Sequence, residues 1–150
     1  MRRLAPLVLL LAACGPTPRS VPLEVGDLGF FALRVQPHLA ERCGSAGCHG
    51  RPDRPFAIYA PGQHRSDPDR AWLDEPLTFE ELEENARRTA AFGIGDDPFA
   101  TLIVRKPLSV DDGGLWHGGG TVFGARNDED CRALTAWLSG RASPLDGGAP

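Results

Sequence analysis

The chain has 150 residues, a length that fits one domain and leaves little room for a second. Hydrophobic residues make up 41% and charged residues 24% of it, a composition that is ordinary for a folded protein and argues against an intrinsically disordered one. The net charge is −4 and lysine and arginine form no continuous run, so the concentrated basic face that nucleic-acid binding needs is not expected.

The first 13 residues have the pattern of a secretory signal peptide. Arg2 and Arg3 precede an apolar stretch, residues 4–11, that is too short to cross a bilayer as a mature helix. Small residues stand directly before Cys14, and this arrangement resembles the lipobox of bacterial lipoproteins. The resemblance implies removal of residues 1–13 and lipidation of Cys14; an ordinary signal peptide with an incidental cysteine is the alternative. With Gly15 in place of an aspartate, the same rule implies the periplasmic side of the outer membrane.

The segments on either side of the domain lack a helical period. Residues 14–26 contain three prolines and predict an extended tether behind the lipidated N-terminus. Residues 141–150 are equally unpatterned and are expected to form a disordered tail. One folded domain, residues 27–140, remains.

Helices are predicted at four places in this domain. At its start, Asp27 is expected to cap a first turn, and Pro37 suits the first position of a short helix with Leu39 and Cys43 on one face. The strongest pattern is residues 78–91, where Thr78 and Glu81 form a capping box. We expect its apolar stripe to face inward and its acidic residues to be solvated; the stripe is Phe79, Leu82, Ala86 and Ala90, and the acidic residues are Glu80, Glu81, Glu83 and Glu84.

Two further helices follow. Asp97 and Pro98 open a short one, expected to turn Phe99, Leu102 and Ile103 inward. Asn127 is expected to cap the last, whose inner face is Cys131, Leu134, Trp137 and Leu138. No segment alternates polar and apolar residues for long enough to require a sheet. The predicted fold class is therefore a mostly α, small and loop-rich domain.

The chemistry-bearing segment is residues 35–50, VQPHLAERCGSAGCHG. Covalent attachment of a c-type haem needs two cysteines for the two vinyl groups and a histidine after the second cysteine for the iron. Cys43 and Cys48 would supply the thioethers, and His49 would be the proximal iron ligand. The usual spacing is C-x-x-C-H, whereas four residues separate the cysteines here. Because positions five apart on a helix differ by about 140° in direction, this segment must bulge at its small residues.

Several pieces of the chain together resemble a cytochrome-c-like family of bacterial envelope lipoproteins. They are VQPHLAERC, Cys48-His49-Gly50, Lys106-Pro107, the His117-Gly118-Gly119-Gly120 loop and the final helix from Asp130 to Gly140. The resemblance covers most of the domain. It implies a cytochrome c-like fold in which the N- and C-terminal helices cross beside one covalent haem c, with Trp137 packed in that region.

The second axial ligand of such a haem is expected to be His117. The only methionine is Met1, which is lost with the signal peptide, so methionine ligation is excluded. His38 lies only five residues before Cys43, on the proximal side, and His64 is the second choice. His117 stands beside three glycines that allow a flat ligand to approach closely, and the family pattern indicates the same residue. A solvated His117 with a five-coordinate iron is the alternative.

The function expected from these residues is electron transfer at the envelope, with an unidentified redox protein as partner and the lipid as membrane anchor. Whether the protein is an enzyme stays open, but no nucleophile–base pair is evident, and a non-enzymatic electron carrier or redox subunit is expected. One alternative is a haem-free structural or interaction lipoprotein with a Cys43–Cys48 disulfide. Another is a metal site of Cys43, Cys48, His49 and His38, although structural zinc normally has cleaner spacing. Cys131 is expected to be a buried, unreactive thiol.

Overall fold

The computed structural model describes residues 25–140. The predicted signal peptide, the predicted lipidation site Cys14, the tether as far as residue 24 and the tail at 141–150 lie outside the described residues. Within them, no helix is both long and apolar enough to cross a bilayer.

The described part of the chain is mostly α-helical and rich in loops. A π-helical segment, Phe31–Val35, joins the first two α-helices, and three 3-10 turns lie at Pro68–Arg70, Pro98–Ala100 and Val110–Asp112. Residues 25–140 contain no sheet, and their β-type pairing is limited to an isolated bridge between Leu108 and Phe123. The predicted fold class, mostly α, small and loop-rich, is confirmed. The α-helices are α1 (Leu28–Phe30), α2 (Gln36–Cys43), α3 (Phe79–Phe92), α4 (Leu102–Arg105) and α5 (Glu129–Leu138).

The first turn and the Pro37 helix are one continuous helix, residues 28–43, and not the two separate elements that we predicted. The Asp27 carboxylate does cap its start, accepting from the Phe30 N–H at 2.6 Å. At the centre, the Gln36 N–H donates to the Phe31 carbonyl five residues back, which is the wider π pattern. The wider turn lies directly before Pro37, whose ring crowds the preceding turn and has no N–H to donate.

α3 begins as predicted, with the Thr78 hydroxyl and the Glu81 carboxylate each accepting from the other residue's backbone N–H. Its inward face was only partly predicted. Ala86 and Ala90 are buried, but Phe79 is 63% exposed. The buried face is rotated toward residues that lie four apart along the helix, namely Glu81, Asn85 and Thr89.

The expectation that Glu81 is solvated is therefore wrong. Its side chain is 1% exposed and pairs with the fully buried Arg65 guanidinium at 2.7 Å. The carboxylate also accepts from the Ser66 backbone and hydroxyl and from the Thr78 backbone, while Arg65 donates to the carbonyls of Glu75 and Pro76. Burial by itself raises the pKa of Glu81, but these donors together lower it to about 2. The pair ties the loop at residues 65–66 to the start of α3.

α5 closes the fold against the N-terminal helix. Its cap is Asp128, whose side chain accepts from the Asp130 N–H, and not the predicted Asn127. Cys131, Leu134 and Trp137 are buried as expected. The Trp137 ring lies 4.8 Å from the Phe31 ring, and its Nε1–H donates to the Asp27 carbonyl at 2.9 Å.

The short helix after Asp97 is divided. A 3-10 turn capped by Asp97 precedes α4, and Ile103 is buried. Leu102, which we expected to point inward, is 51% exposed. It lines an apolar cleft together with residues of α2 and α5.

Candidate functional site

The segment between Cys43 and Gly50 forms a tight turn directly after α2. The His49 N–H donates to the Cys43 carbonyl at 2.9 Å, and the N–H groups of Cys48 and Gly50 both donate to the Ser45 carbonyl at 2.9 Å. The turn absorbs the two extra residues of the motif and returns His49 to the end of the helix. A Cβ at Gly50 would lie 1.9 Å from the Gly44 carbonyl oxygen, so only glycine fits there.

Cys43 and His49 face an apolar cleft with a volume of about 260 Å³. Leu39 of α2 and Leu134 of α5 line it, and so do His117 and the exposed Trp116. Lys106 is the charged residue of the lining. The remaining lining residues are Pro55, Phe56, Phe92, Leu102, Ile103, Pro107, Gly118 and Phe123.

The imidazoles of His49 and His117 lie parallel to each other. Their ring centroids are 5.9 Å apart and their planes differ by 7°. The two residues are 68 positions apart in the sequence (117 − 49), so the fold alone brings them together. The distance between the two centroids is larger than in a direct van der Waals stack of two rings.

Hydrogen bonds give both imidazoles the same tautomer. His49 Nδ1 lies 2.7 Å from the Phe56 carbonyl oxygen, and His117 Nδ1 lies 3.3 Å from the Gly120 carbonyl oxygen. A carbonyl oxygen can only accept, so each Nδ1 must carry the proton. Each Nε2 therefore has a free lone pair, which is the arrangement of a metal-ligating histidine.

The electrostatics of the cleft keep His49 and Cys43 uncharged. Burial lowers the pKa of His49, an effect that its bond to Phe56 opposes and that nearby His117 and Arg54 reinforce. Burial and the neighbouring Cys48 raise the pKa of the Cys43 thiol to about 11. At neutral pH, His49 thus offers a lone pair and Cys43 is a protonated thiol.

The other two histidines lie outside this cleft. His38 Nδ1 pairs with Asp130 Oδ1 at 2.9 Å, and His64 lies beside Tyr59, with ring centroids 5.0 Å apart. Cys43, Cys48 and Cys131 are not joined in a disulfide, and Cys131 is fully buried in α5. Residues 25–140 contain no group of three or more histidine, cysteine or carboxylate side chains that could hold a metal ion. The four-residue metal site considered above thus has no assembled ligand set.

Sequence reasoning missed the groups that orient the two imidazoles. The carbonyls of Phe56 and Gly120 set the tautomers, and every residue has a carbonyl, so no sequence signal marks them. Lys106 was noted only as part of a motif, but its Nζ lies 3.4 Å from the Trp116 carbonyl oxygen, beside His117. The apolar lining comes from many separate stretches of the chain, between Leu39 and Leu134, and could not be assembled without the fold.

Comparison of the chain with protein-family models, with curated proteins and with solved structures finds no match to any of them. The functional assignment therefore depends on the residues and geometry of this site.

Proposed function

We propose that this protein is a c-type haem-binding lipoprotein of the bacterial envelope that transfers electrons. Cys43 and Cys48 would hold one haem c through thioether bonds, with His49 as the proximal and His117 as the distal iron ligand. Cys14 would carry the lipid that anchors the protein on the periplasmic side, most naturally at the outer membrane. The resemblance of the motif segments to cytochrome-c-like envelope lipoproteins supports the same assignment.

The observation that carries the proposal is the pair of parallel imidazoles. An imidazole nitrogen lies about 2 Å from a bound transition metal and about 1 Å from its own ring centroid, so two imidazoles on opposite sides of one metal have centroids about 6 Å apart. The separation of the His49 and His117 centroids is 5.9 Å. Both residues also keep Nε2 free, as ligation requires.

The number of ligands favours haem over a bare metal ion. Zinc sites with protein ligands need three or four of them, and residues 25–140 bring no such group together. A haem supplies four equatorial nitrogens itself and leaves two axial positions for the protein. At this place the chain provides two histidines in an apolar cleft, which match the two ligands and the apolar surroundings that a haem needs.

The positions of the two cysteines support covalent attachment of the haem. Cys43 lines the cleft, and Cys48 immediately precedes His49 in the turn. In forming a thioether, the S–H bond of a thiol breaks and the sulfur and hydrogen add across a vinyl C=C bond, so nothing leaves and no oxidant is needed. A thiol that stays protonated at neutral pH is compatible with this addition.

The histidine pair favours electron transfer over catalysis. Bound haem supplies a one-electron change of the iron between its ferric and ferrous states. If His117 were the second iron ligand, a substrate would find no free position on the iron. Histidine in place of methionine lowers the reduction potential, so we expect a potential below that of a His/Met cytochrome c.

The test is an absorption spectrum and a haem stain of the protein co-expressed with c-haem maturation factors. We expect a Soret band and a stain that survives denaturation, and we expect loss of the stain in Cys43→Ala/Cys48→Ala. Cys131→Ala is the matched control, because Cys131 lies outside the motif, and it should keep the stain. A colourless protein, produced where a control cytochrome matures normally, would refute the proposal and leave the Cys43–Cys48 disulfide as the working hypothesis.

A further inference from the structure

A second cleft, with a volume of about 400 Å³, lies on the other side of the Pro55–Ala57 segment. Pro55 lines both clefts. The Phe56 carbonyl faces His49, whereas the next carbonyl, that of Ala57, accepts from Arg88 Nη1 at 2.9 Å. The lining of this second cleft is rich in hydrogen-bond donors and contains no carboxylate; it consists of Pro52, Arg54, Pro55, Ala57, Tyr59, His64, Arg65, Ser66 and Arg88.

Several of these donors have no acceptor for their hydrogen. The exposed Arg54 guanidinium has one long contact, 3.5 Å to the Gly47 carbonyl, and forms no ion pair within residues 25–140. The Tyr59 hydroxyl accepts from Arg88 Nη2 at 3.3 Å, so its own hydrogen is free to be donated. The His64 ring nitrogens make no hydrogen bond to any described residue, so the N–H of its neutral ring is also free to donate. The Arg65 guanidinium, by contrast, already donates to Glu81 and to backbone carbonyls.

The cleft is also electropositive, although the molecule as a whole is acidic. Glu84 and Glu81 partly offset Arg88 and Arg65, but Arg54 keeps its full charge. Burial is the largest cause of the lowered pKa of His64. The positive charge of Arg88 lowers the pKa further, and the negative charge of Glu81 opposes both effects. An anion here would meet unsatisfied donors and a favourable potential together, which is the condition for charge-assisted hydrogen bonds.

We propose that this cleft binds a small oxygen-bearing anion, a phosphate or a carboxylate, through Arg54, Tyr59 and His64. Arg88 would hold the Tyr59 hydroxyl in position and add its charge. The site does not depend on the haem proposal, because it shares only the wall formed by Pro55 with the apolar cleft.

Isothermal titration calorimetry of the full-length protein, with inorganic phosphate in one arm and succinate in the other at constant ionic strength, tests the proposal. We expect saturable binding of one anion per chain in at least one arm. Removal of one charge-assisted bond in Arg54→Gln should weaken it about tenfold. Tyr59→Phe should weaken it less.

Arg51→Gln is the matched control, because Arg51 lies in the same loop and is exposed but pairs with Asp53 and does not line the cleft. It should leave binding unchanged. No saturable heat with either anion would overturn the proposal. So would equal weakening by Arg51→Gln and Arg54→Gln, since that result would indicate general charge screening.

Discussion

The two imidazoles of the apolar cleft differ in the hydrogen bonds that hold them in place. His49 donates to Phe56 at 2.7 Å, and its backbone is bonded to Cys43 on one side and to Ile58 on the other. His117 makes the longer 3.3 Å contact with Gly120, within its own exposed loop. The position of the His117 ring therefore depends on the space beside it, and that space is provided by Gly119.

Gly119→Ala should displace the His117 ring. The added Cβ would lie 3.0 Å from a ring carbon, closer than carbon atoms normally approach, so the imidazole must move by a few tenths of an ångström. We expect shifted His117 ring signals in an NMR spectrum and, if the proposed haem is bound, shifted absorption bands. Gly124→Ala is the control, because a Cβ there meets nothing within 4 Å. Identical ring signals in both variants would show that Gly119 does not position the imidazole.

Gly50→Ala should destabilise the turn that follows α2. Its Cβ would collide with the Gly44 carbonyl oxygen, which is backbone and cannot turn aside. A cost of about 2 kcal/mol or more in the free energy of unfolding is expected, as for other overpacked sites. Urea denaturation measures this cost. Gly47→Ala in the same loop has open space around it and should unfold like the unmodified protein.

At the scale of the elements, one contact joins the first helix to the last. Trp137 of α5 is 1% exposed, packs on Phe31 and donates to the Asp27 carbonyl, 110 residues earlier. That carbonyl also accepts from the Phe31 N–H, so one oxygen anchors both helices.

Trp137→Phe should therefore weaken the whole fold. The variant loses the indole donor and leaves a gap beside Phe31, and we expect a loss of about 2–4 kcal/mol in thermal or urea unfolding. Trp116→Phe serves as the control. Trp116 is 80% exposed, and its substitution should leave stability nearly unchanged. Equal stability of the two variants would contradict a joining role for Trp137.

Elements with local signals were predictable, and those decided by tertiary contacts were not. The Thr78–Glu81 capping box and the buried face of α5 follow from residue type and spacing. The burial of Glu81 could not be foreseen, because its partner Arg65 lies in a loop 16 residues away and carries no pattern of its own. Residue type could not decide between Asn127 and Asp128 as the cap of α5, because asparagine and aspartate both cap helices well.

The candidate site was predictable to a similar extent. Cys43, Cys48 and His49 lie close together in a recognisable motif, and His117 is marked by the three glycines that follow it. The approach of His49 and His117, and the carbonyls that orient them, depend on how distant loops pack. No local rule gives that packing.

For the molecule as a whole, the buried Arg65–Glu81 pair makes stability depend on pH. The pKa of Glu81 falls from 4.5 to about 2 on folding, so the unfolded chain binds more protons than the native state between these values. The stabilising effect of Glu81 is complete above pH 4.5 and is lost progressively as the pH falls toward about 2. Acid unfolding should begin in this range.

Glu81→Gln should remove this pH dependence and lower stability at neutral pH. The variant leaves the Arg65 charge buried without its partner, which costs about 3–5 kcal/mol. Urea unfolding measured from pH 7 to pH 3 tests both effects. Glu83→Gln is the control, because Glu83 is an exposed residue of the same helix, 3.8 Å from Arg87, and should change little. A pH profile of Glu81→Gln with the slope of the unmodified protein would contradict this role.

The contact between Asp27 and Trp137 also sets an order of events in a newly made chain. A polypeptide emerges with its N-terminus first, so Cys43 and Cys48 are present long before α5, which packs against the same helix, has been made. Until Trp137 arrives, the helix that ends at Cys43 lacks the indole that packs on its Phe31 ring. In the proposed cytochrome, the two thiols that would hold the haem would thus be made before the helix that contributes Leu134 to the wall of the cleft.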